Sequence, residues 1–182
     1  MSIFFTADTH FCHKNIIKYE NRPFNSVEEM NETMIKKWNA KVKPTDSIYI
    51  LGDFIFSDGY TATQLVKRLN GKKYLIKGNH DSFLRDNQFD RSLLGWIKDY
   101  YLLKDNNIKY ALFHYPIQVW DCKHYGSVHL YGHVHSNKDN HHPLLMYLGK
   151  AYNVGVDVNN YEPVSIGEIL EKVKEIKQNA CN

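Results

Sequence analysis

A chain of 182 residues with 43% hydrophobic and 24% charged residues has the balance of a soluble globular domain, and its length suits one core over residues 1–182. A chain of this size buries roughly 70% of its unfolded surface, so it needs no disulfide staples. Its formal charge of +3, with basic residues clustered no further than Lys36-Lys37 and Lys72-Lys73, leaves nucleic-acid binding possible but not indicated.

Cys12, Cys122 and Cys181 form no CxxC pair, which argues against a disulfide framework or a thiolate zinc site and for reduced thiols in the cytoplasm. The apolar opening Ile3-Phe4-Phe5 meets Asp8 too soon for a signal-peptide core or a membrane span, so neither export nor membrane attachment is expected. The 13 Tyr and 9 Phe are expected mainly in the core, with some free to line a recess.

In chain order, Ile3 to Ala7 reads as a buried strand. Ser26 and Glu29 have capping-box spacing ahead of a helix to about Lys41. Ser47 to Leu51 is a strand stopped by Gly52-Asp53. Thr61 is placed to cap a short helix through Leu65, Val66 and Leu69 that Gly71 closes. Tyr74 to Ile76 is the next strand, and the βαβαβ rhythm predicts parallel pairing. Tyr100–Leu103, Asp105-Asn106-Asn107 and Lys109–Phe113 read as a hairpin. Val128–Tyr131 and Ala151–Val158 are further strands. Ser165 with Glu168 opens a C-terminal helix carrying Ile169, Leu170, Val173 and Ile176. The expected class is α/β, with a second, more antiparallel half.

The chemistry-bearing residues gather where strands end. Asp8 and His10 follow the first strand, Asp53 the second, and Asn79, His80 and Asp81 the third. His114 ends the hairpin, and His133 and His135 follow Val128–Tyr131. In open α/β sheets, sites form beyond the carboxyl ends of strands. Gly52, Gly78 and Gly132 precede three of these stretches, where a close backbone approach is cheap. Alternation along an extended Gly132–His135 would put both imidazoles on one side.

Two carboxylates, four imidazoles and one amide oxygen suit divalent Mn, Fe, Zn, Co or Ni. Seven ligands exceed one tetrahedral zinc but fit two ions about 3.5–4 Å apart, between which water becomes a hydroxide nucleophile near neutral pH. His13, Asn15 and Arg22 follow the first motif as candidate substrate contacts, a guanidinium fork being a natural phosphate partner.

The ordered set Asp8-Thr9-His10, Gly52-Asp53, Gly78-Asn79-His80-Asp81, His114 and Gly132-His133-Val134-His135 resembles the calcineurin-like metallophosphoesterase superfamily. Asp8-Thr9-His10-Phe11, Arg22-Pro23-Phe24 and Asn153-Val154-Gly155-Val156-Asp157 further resemble its small bacterial and phage members. The resemblance implies two mixed β-sheets packed face to face with flanking helices, a four-layer α/β/β/α sandwich. It implies that Asp8, His10 and His135 hold one ion, that Asn79, His114 and His133 hold the other, and that Asp53 bridges them. Mn is the expected metal, with Fe, Zn, Ni, Co and Mg as alternatives.

His80 matches the position taken to protonate the leaving oxygen, and Asp81 either orients His80 or stabilises the turn. Cys12 stands where these small relatives carry glycine. His124, His129, His141 and His142 lie off the pattern and are expected to be ordinary histidines.

The protein-phosphatase branch resembles GDYVDRG and GNHE in these motifs. Here Gly52–Asp58 lacks that arginine, which favours a phosphodiester or nucleotide substrate over a phosphoprotein. The alternatives are a nuclease of the same superfamily, for which little chain remains after His135, and a non-catalytic scaffold like the retromer subunit resembling this family. No oligomeric state is implied.

Overall fold

The computed structural model describes residues 1–136 and 148–179, with side chains as far as Lys174. His141, His142, Cys181 and the Ile176 side chain lie outside what it describes. The elements run β1 (Ile3–Thr6), α1 (Ile16–Tyr19), α2 (Val27–Lys41), β2 (Ser47–Leu51), α3 (Gly59–Lys67), β3 (Lys72–Ile76), β4 (Leu94–Lys98), β5 (Tyr100–Asp105), β6 (Ile108–Phe113), β7 (Val128–Tyr131), β8 (Ala151–Asn153), β9 (Val164–Ser165) and α4 (Ile166–Asn179).

Two mixed sheets result. The first has the order β4-β3-β2-β1-β9, with β1 to β4 parallel and β9 antiparallel to β1. The second has the order β5-β6-β7-β8. Its hairpin is antiparallel as expected, but β6, β7 and β8 are parallel, so the second half is less antiparallel than its sequence implies.

The sheets pack face to face because β-strands alternate. Phe5, Tyr49, Leu51 and Ile76 of the first sheet meet Leu103, Tyr110, Leu112, Val128 and Leu130 of the second, and Ile169 and Val173 of α4 join them. The opposite residues of β1 to β3, Phe4, Ile48, Ile50 and Leu75, pack under Met30, Met34 and Trp38 of α2 and Ala62, Leu65 and Val66 of α3. Each such fully buried side chain contributes about 1.5–3 kcal/mol. On its outer face the second sheet packs Ala111, Tyr131 and Ala151 against Trp120 and Leu148.

Local signals explain most boundaries. Ser26 Oγ accepts from Glu29 N–H at 3.1 Å, while Glu29 returns to Asn25 N–H at 2.8 Å. Ser165 and Glu168 make the full reciprocal box. Asn106 and Asn107 both take positive φ (44° and 65°), the hairpin turn their side chains tolerate. Several boundaries differ from expectation, two of them with a visible cause. The cap of α3 is Asp58, which accepts from Thr61 N–H at 2.8 Å, so Thr61 lies inside the helix. β8 stops at Asn153, because Asn153 Oδ1 accepts Gly155 N–H and Val156–Val158 coils into a 3₁₀ turn.

Candidate metal centre

The strand ends that carry the motifs are stitched to one another. Asp8 N–H donates to Gly52 C=O and His10 N–H to Asp53 C=O, both at 3.0 Å, so the chains leaving β1 and β2 run on together. Ala7 N–H donates to Val154 C=O at 3.1 Å, which joins the two sheets at this end, and Gly132 N–H donates to His114 C=O at 2.9 Å, which ties the ends of β6 and β7. Two glycines permit this closeness: a Cβ on Gly78 would overlap Asp53, and one on Gly132 would overlap Asp8 and Ala7.

Five residues here hold left-handed backbone: Asp8 (φ 55°), His10 (47°), Asp53 (51°), His133 (70°) and His135 (47°). Asp and His are among the side chains that tolerate this region, at a cost of about 1–3 kcal/mol each. The Gly132–His135 segment is therefore not extended. Val134 N–H returns to Gly132 C=O at 2.9 Å, and the tight turns send the two imidazoles to different groups.

Those groups are Asp8 with His10 and His135, and Asp53 with His114 and His133; in each, one ligand atom per residue lies within 4.8 Å of the others. Asp53 Oδ2 is 3.5 Å from His10 Nε2 and 3.6 Å from His114 Nε2, one nitrogen from each group. Asp53 Oδ1 accepts His80 N–H at 2.8 Å. His114 Nδ1 lies 2.7 Å from Leu51 C=O, so it carries the proton and Nε2 presents a lone pair. Asn79 Oδ1 faces that lone pair at 3.1 Å.

Lone pairs converging in this way require a proton or a cation between them. His10 Nε2 is buried with no hydrogen-bond partner among the described residues. The donor set fits divalent cations.

Electrostatics follow from burial. It pushes the Asp8 carboxyl up to about 7, although His135 and His114 oppose it. At Asp53 burial also raises, but His114 and the His80 N–H prevail and hold the carboxyl below its usual range. Burial drives His10 down despite Asp53. His114 is lowered by burial too, yet Asp53 and Asp8 carry it above the ordinary imidazole value.

The profile of the calcineurin-like phosphoesterase family matches residues 1–96, more than half of the chain. The chain belongs to that family. It is 38% identical over 177 residues to an uncharacterised protein of Methanocaldococcus jannaschii, covering 96% of this chain and 93% of that one. It is 28% identical to the Gene 66 protein of Mycobacterium phage L5, covering 96% and 95%. A crystal structure of a protein of unknown function from Aquifex aeolicus superposes with a TM-score of 0.75 at 26% identity, covering 93% of this chain and 98% of the other.

In this calcineurin-like phosphoesterase the supporting residues depart from the sequence reading. Arg22 is no phosphate fork. It is buried, with Nε and Nη2 on the Asp157 carboxylate (2.8 and 2.9 Å), Nη2 also on Asp8 C=O (2.7 Å), and Nη1 on Thr9 C=O (2.9 Å) and Met30 Sδ (3.5 Å). Its N–H groups are all taken, and none is left for a substrate.

Asp81 does not orient His80. Its carboxylate accepts Gly78 N–H (2.7 Å), Phe54 N–H (2.7 Å) and Asp53 N–H (3.1 Å), clamping the turns on either side of the centre. His80 itself is exposed, with its ring 5.8 Å from that of His10. His13 stands next to His10, ring centroids 5.5 Å apart. Asn15 is exposed at the start of α1, and its side chain makes no cap there.

Cys12 has φ 68°, the conformation glycine takes freely. Cys12 and Cys122 are free thiols. His129 is a satisfied core histidine, bonded to Ala111 C=O and stacked between Trp120 and Tyr131, and His124 is exposed.

The residue missed was Asp157. Its Oδ2 accepts His135 Nδ1 at 2.7 Å, which fixes that tautomer and turns Nε2 toward the centre. Burial raises Asp157, but His135 and Arg22 outweigh it and hold the carboxyl below its usual range. The available signal was an arginine and an aspartate, each inside a distinctive segment of its own. Tyr115 was also missed; its ring lies 4.5 Å from His133 and its hydroxyl 3.3 Å from Asn79 Oδ1.

Proposed function

We propose that this chain is a binuclear metal-dependent phosphodiesterase acting on a small phosphodiester or nucleotide. Asp8, His10 and His135 hold one ion, Asn79, His114 and His133 hold the other, and Asp53 serves both. The observation that carries the reading is Asp53 Oδ2, 3.5 Å from His10 Nε2 and 3.6 Å from His114 Nε2, at the corner the two groups share. When bound, two divalent ions supply a polarised phosphoryl oxygen and a water acidified to near neutrality. Mn is our choice among the ions this donor set suits.

The remaining work falls to the chain. The His80 N–H on Oδ1 keeps Oδ2 of Asp53 turned inward. The exposed His80 imidazole, beside His10 at the rim of the centre, protonates the departing alkoxide. Asp157 keeps the His135 proton on Nδ1. The preference for diesters rests on the absence of an arginine from Gly52–Asp58. Among the described residues no helix is long and apolar enough to cross a membrane, and the free thiols agree with action in the cytoplasm as a single domain.

Calorimetric titration of metal-free protein with Mn tests the reading. Two equivalents should bind, and Asp53→Asn should weaken both because it removes the charge they share. One tight ion with no second refutes the binuclear centre.

A further inference from the structure

Large apolar side chains left in water are ordinary when scattered singly, and they matter when they gather at a site. Two gather here. Phe56, three residues beyond Asp53, is 44% exposed, and Tyr19 at the end of α1 is 67% exposed. Neither belongs to any of the hydrophobic clusters. Both lie against His13, which stacks on Phe56 with centroids 4.3 Å apart and planes 25° apart, and meets Tyr19 edge-on at 6.1 Å. His13 in turn borders His10, so a strip of rings leads from the centre out to solvent.

The strip is rigid where it matters. Phe56 N–H is bonded to Phe11 C=O at 2.8 Å, in the same parallel pairing that positions His10 and Asp53. The Phe56 ring also stands 6.3 Å from the His80 ring, edge to face. The opposite flank differs, because Tyr115 packs on His114 and His133 and its hydroxyl is committed to Asn79.

We propose that Phe56, backed by His13 and flanked by Tyr19, is a stacking subsite for a nucleobase carried on the departing side of the substrate. This rests on the phosphodiesterase reading above. One face of Phe56 is on His13, so its exposed remainder meets an arriving flat group and continues the stack. The neighbour on the inner side is His80, which serves the leaving oxygen, so the ring belongs to the leaving group. A nucleotide puts a phosphate on the metals and a flat ring on Phe56 together. Stacking of this kind accepts any base, since every base has a π-face, so selectivity between bases is not expected.

Binding of inorganic phosphate, phenyl phosphate and AMP to the Mn-loaded protein, measured by calorimetry, tests the subsite. AMP should bind about tenfold more tightly than phosphate, with phenyl phosphate between them because a single ring covers less of Phe56. Phe56→Ala and the bulkier Phe56→Leu should each remove that advantage, and Phe56→Trp should restore it. The ring lies outside the core, so none of these changes threatens the fold.

Phosphate failing to bind the metal-loaded protein would overturn the reading of the centre, and the subsite with it. Phosphate binding with AMP no tighter, or substitutions that shift both ligands alike, would overturn the subsite alone. Phenyl phosphate matching AMP would overturn the nucleobase assignment in favour of a simple aryl group.

Discussion

Replacing Asp157 by Asn should weaken one metal position and spare the other. The Asp157 oxygens receive three donors: Arg22 Nε on Oδ1, and Arg22 Nη2 and His135 Nδ1 on Oδ2. A carboxamide keeps the Oδ2 contacts only by turning its NH₂ toward Arg22 Nε, donor against donor, and it loses the charge either way. Both side chains are almost wholly buried, at 0% and 2% exposure. Breaking such a pair costs about 3–5 kcal/mol, and with one oxygen retained the low end applies. For a chain of this size about 3 kcal/mol lowers Tm by roughly 6–12 °C.

The orienting partners of metal-bound histidines typically contribute 10- to 100-fold in affinity, so the His135 position should lose about tenfold. His114 and His133 have no contact with Asp157, and the position they form should change by less than about threefold. Thermal unfolding of metal-free protein measures the first effect, and two-site Mn titration the second. Equal weakening of both positions would refute the reasoning, as would an unchanged Tm.

His80→Ala should leave both ions bound and reduce turnover about 10²- to 10⁴-fold for an alkoxide leaving group, but far less for p-nitrophenolate, measured by steady-state kinetics. Equal losses repaired by excess Mn would instead make His80 a support for Asn79. Asp81→Ala strands three backbone N–H groups and should destabilise by about 3 kcal/mol or more, seen as a Tm drop of roughly 6 °C or more, with Mn binding weakened through Asp53. Bis-p-nitrophenyl phosphate should be cleaved faster than the corresponding monoester by the Mn-loaded protein, and a monoester preference would reverse that ranking.

Much of this was legible in the sequence because it is local. Short apolar runs marked β1, β2, β3 and β7, the Asn106-Asn107 pair carried its own turn, and each candidate ligand followed a strand end. Contacts set at long range were not legible. β9 is only Val164–Ser165, too short for a pattern, and takes its register from β1. The parallel pairing of β7 with both neighbours depends on partners far away in the chain. Arg22 reads from sequence as a candidate phosphate contact, and only the fold shows its fork closed on Asp157, 135 residues away. Strand alternation singled out the imidazoles of His133 and His135, but left-handed turns direct them, and to separate groups.

The span between Arg22 and Asp157 also bears on how the chain is born. Arg22 contacts the carbonyls of Asp8 and Thr9, so the turn after β1 closes over a guanidinium. On an emerging polypeptide that cation has no carboxylate until residue 157 clears the ribosome. Burying it alone would cost several kcal/mol. At about 5–20 residues per second, the 135 residues between them take roughly 7–27 s to make. Through that interval the first βαβ segments can assemble their helices and strands while the loop bearing Asp8 and His10 stays open to water. The candidate metal site is then among the last parts of the nascent protein to lock.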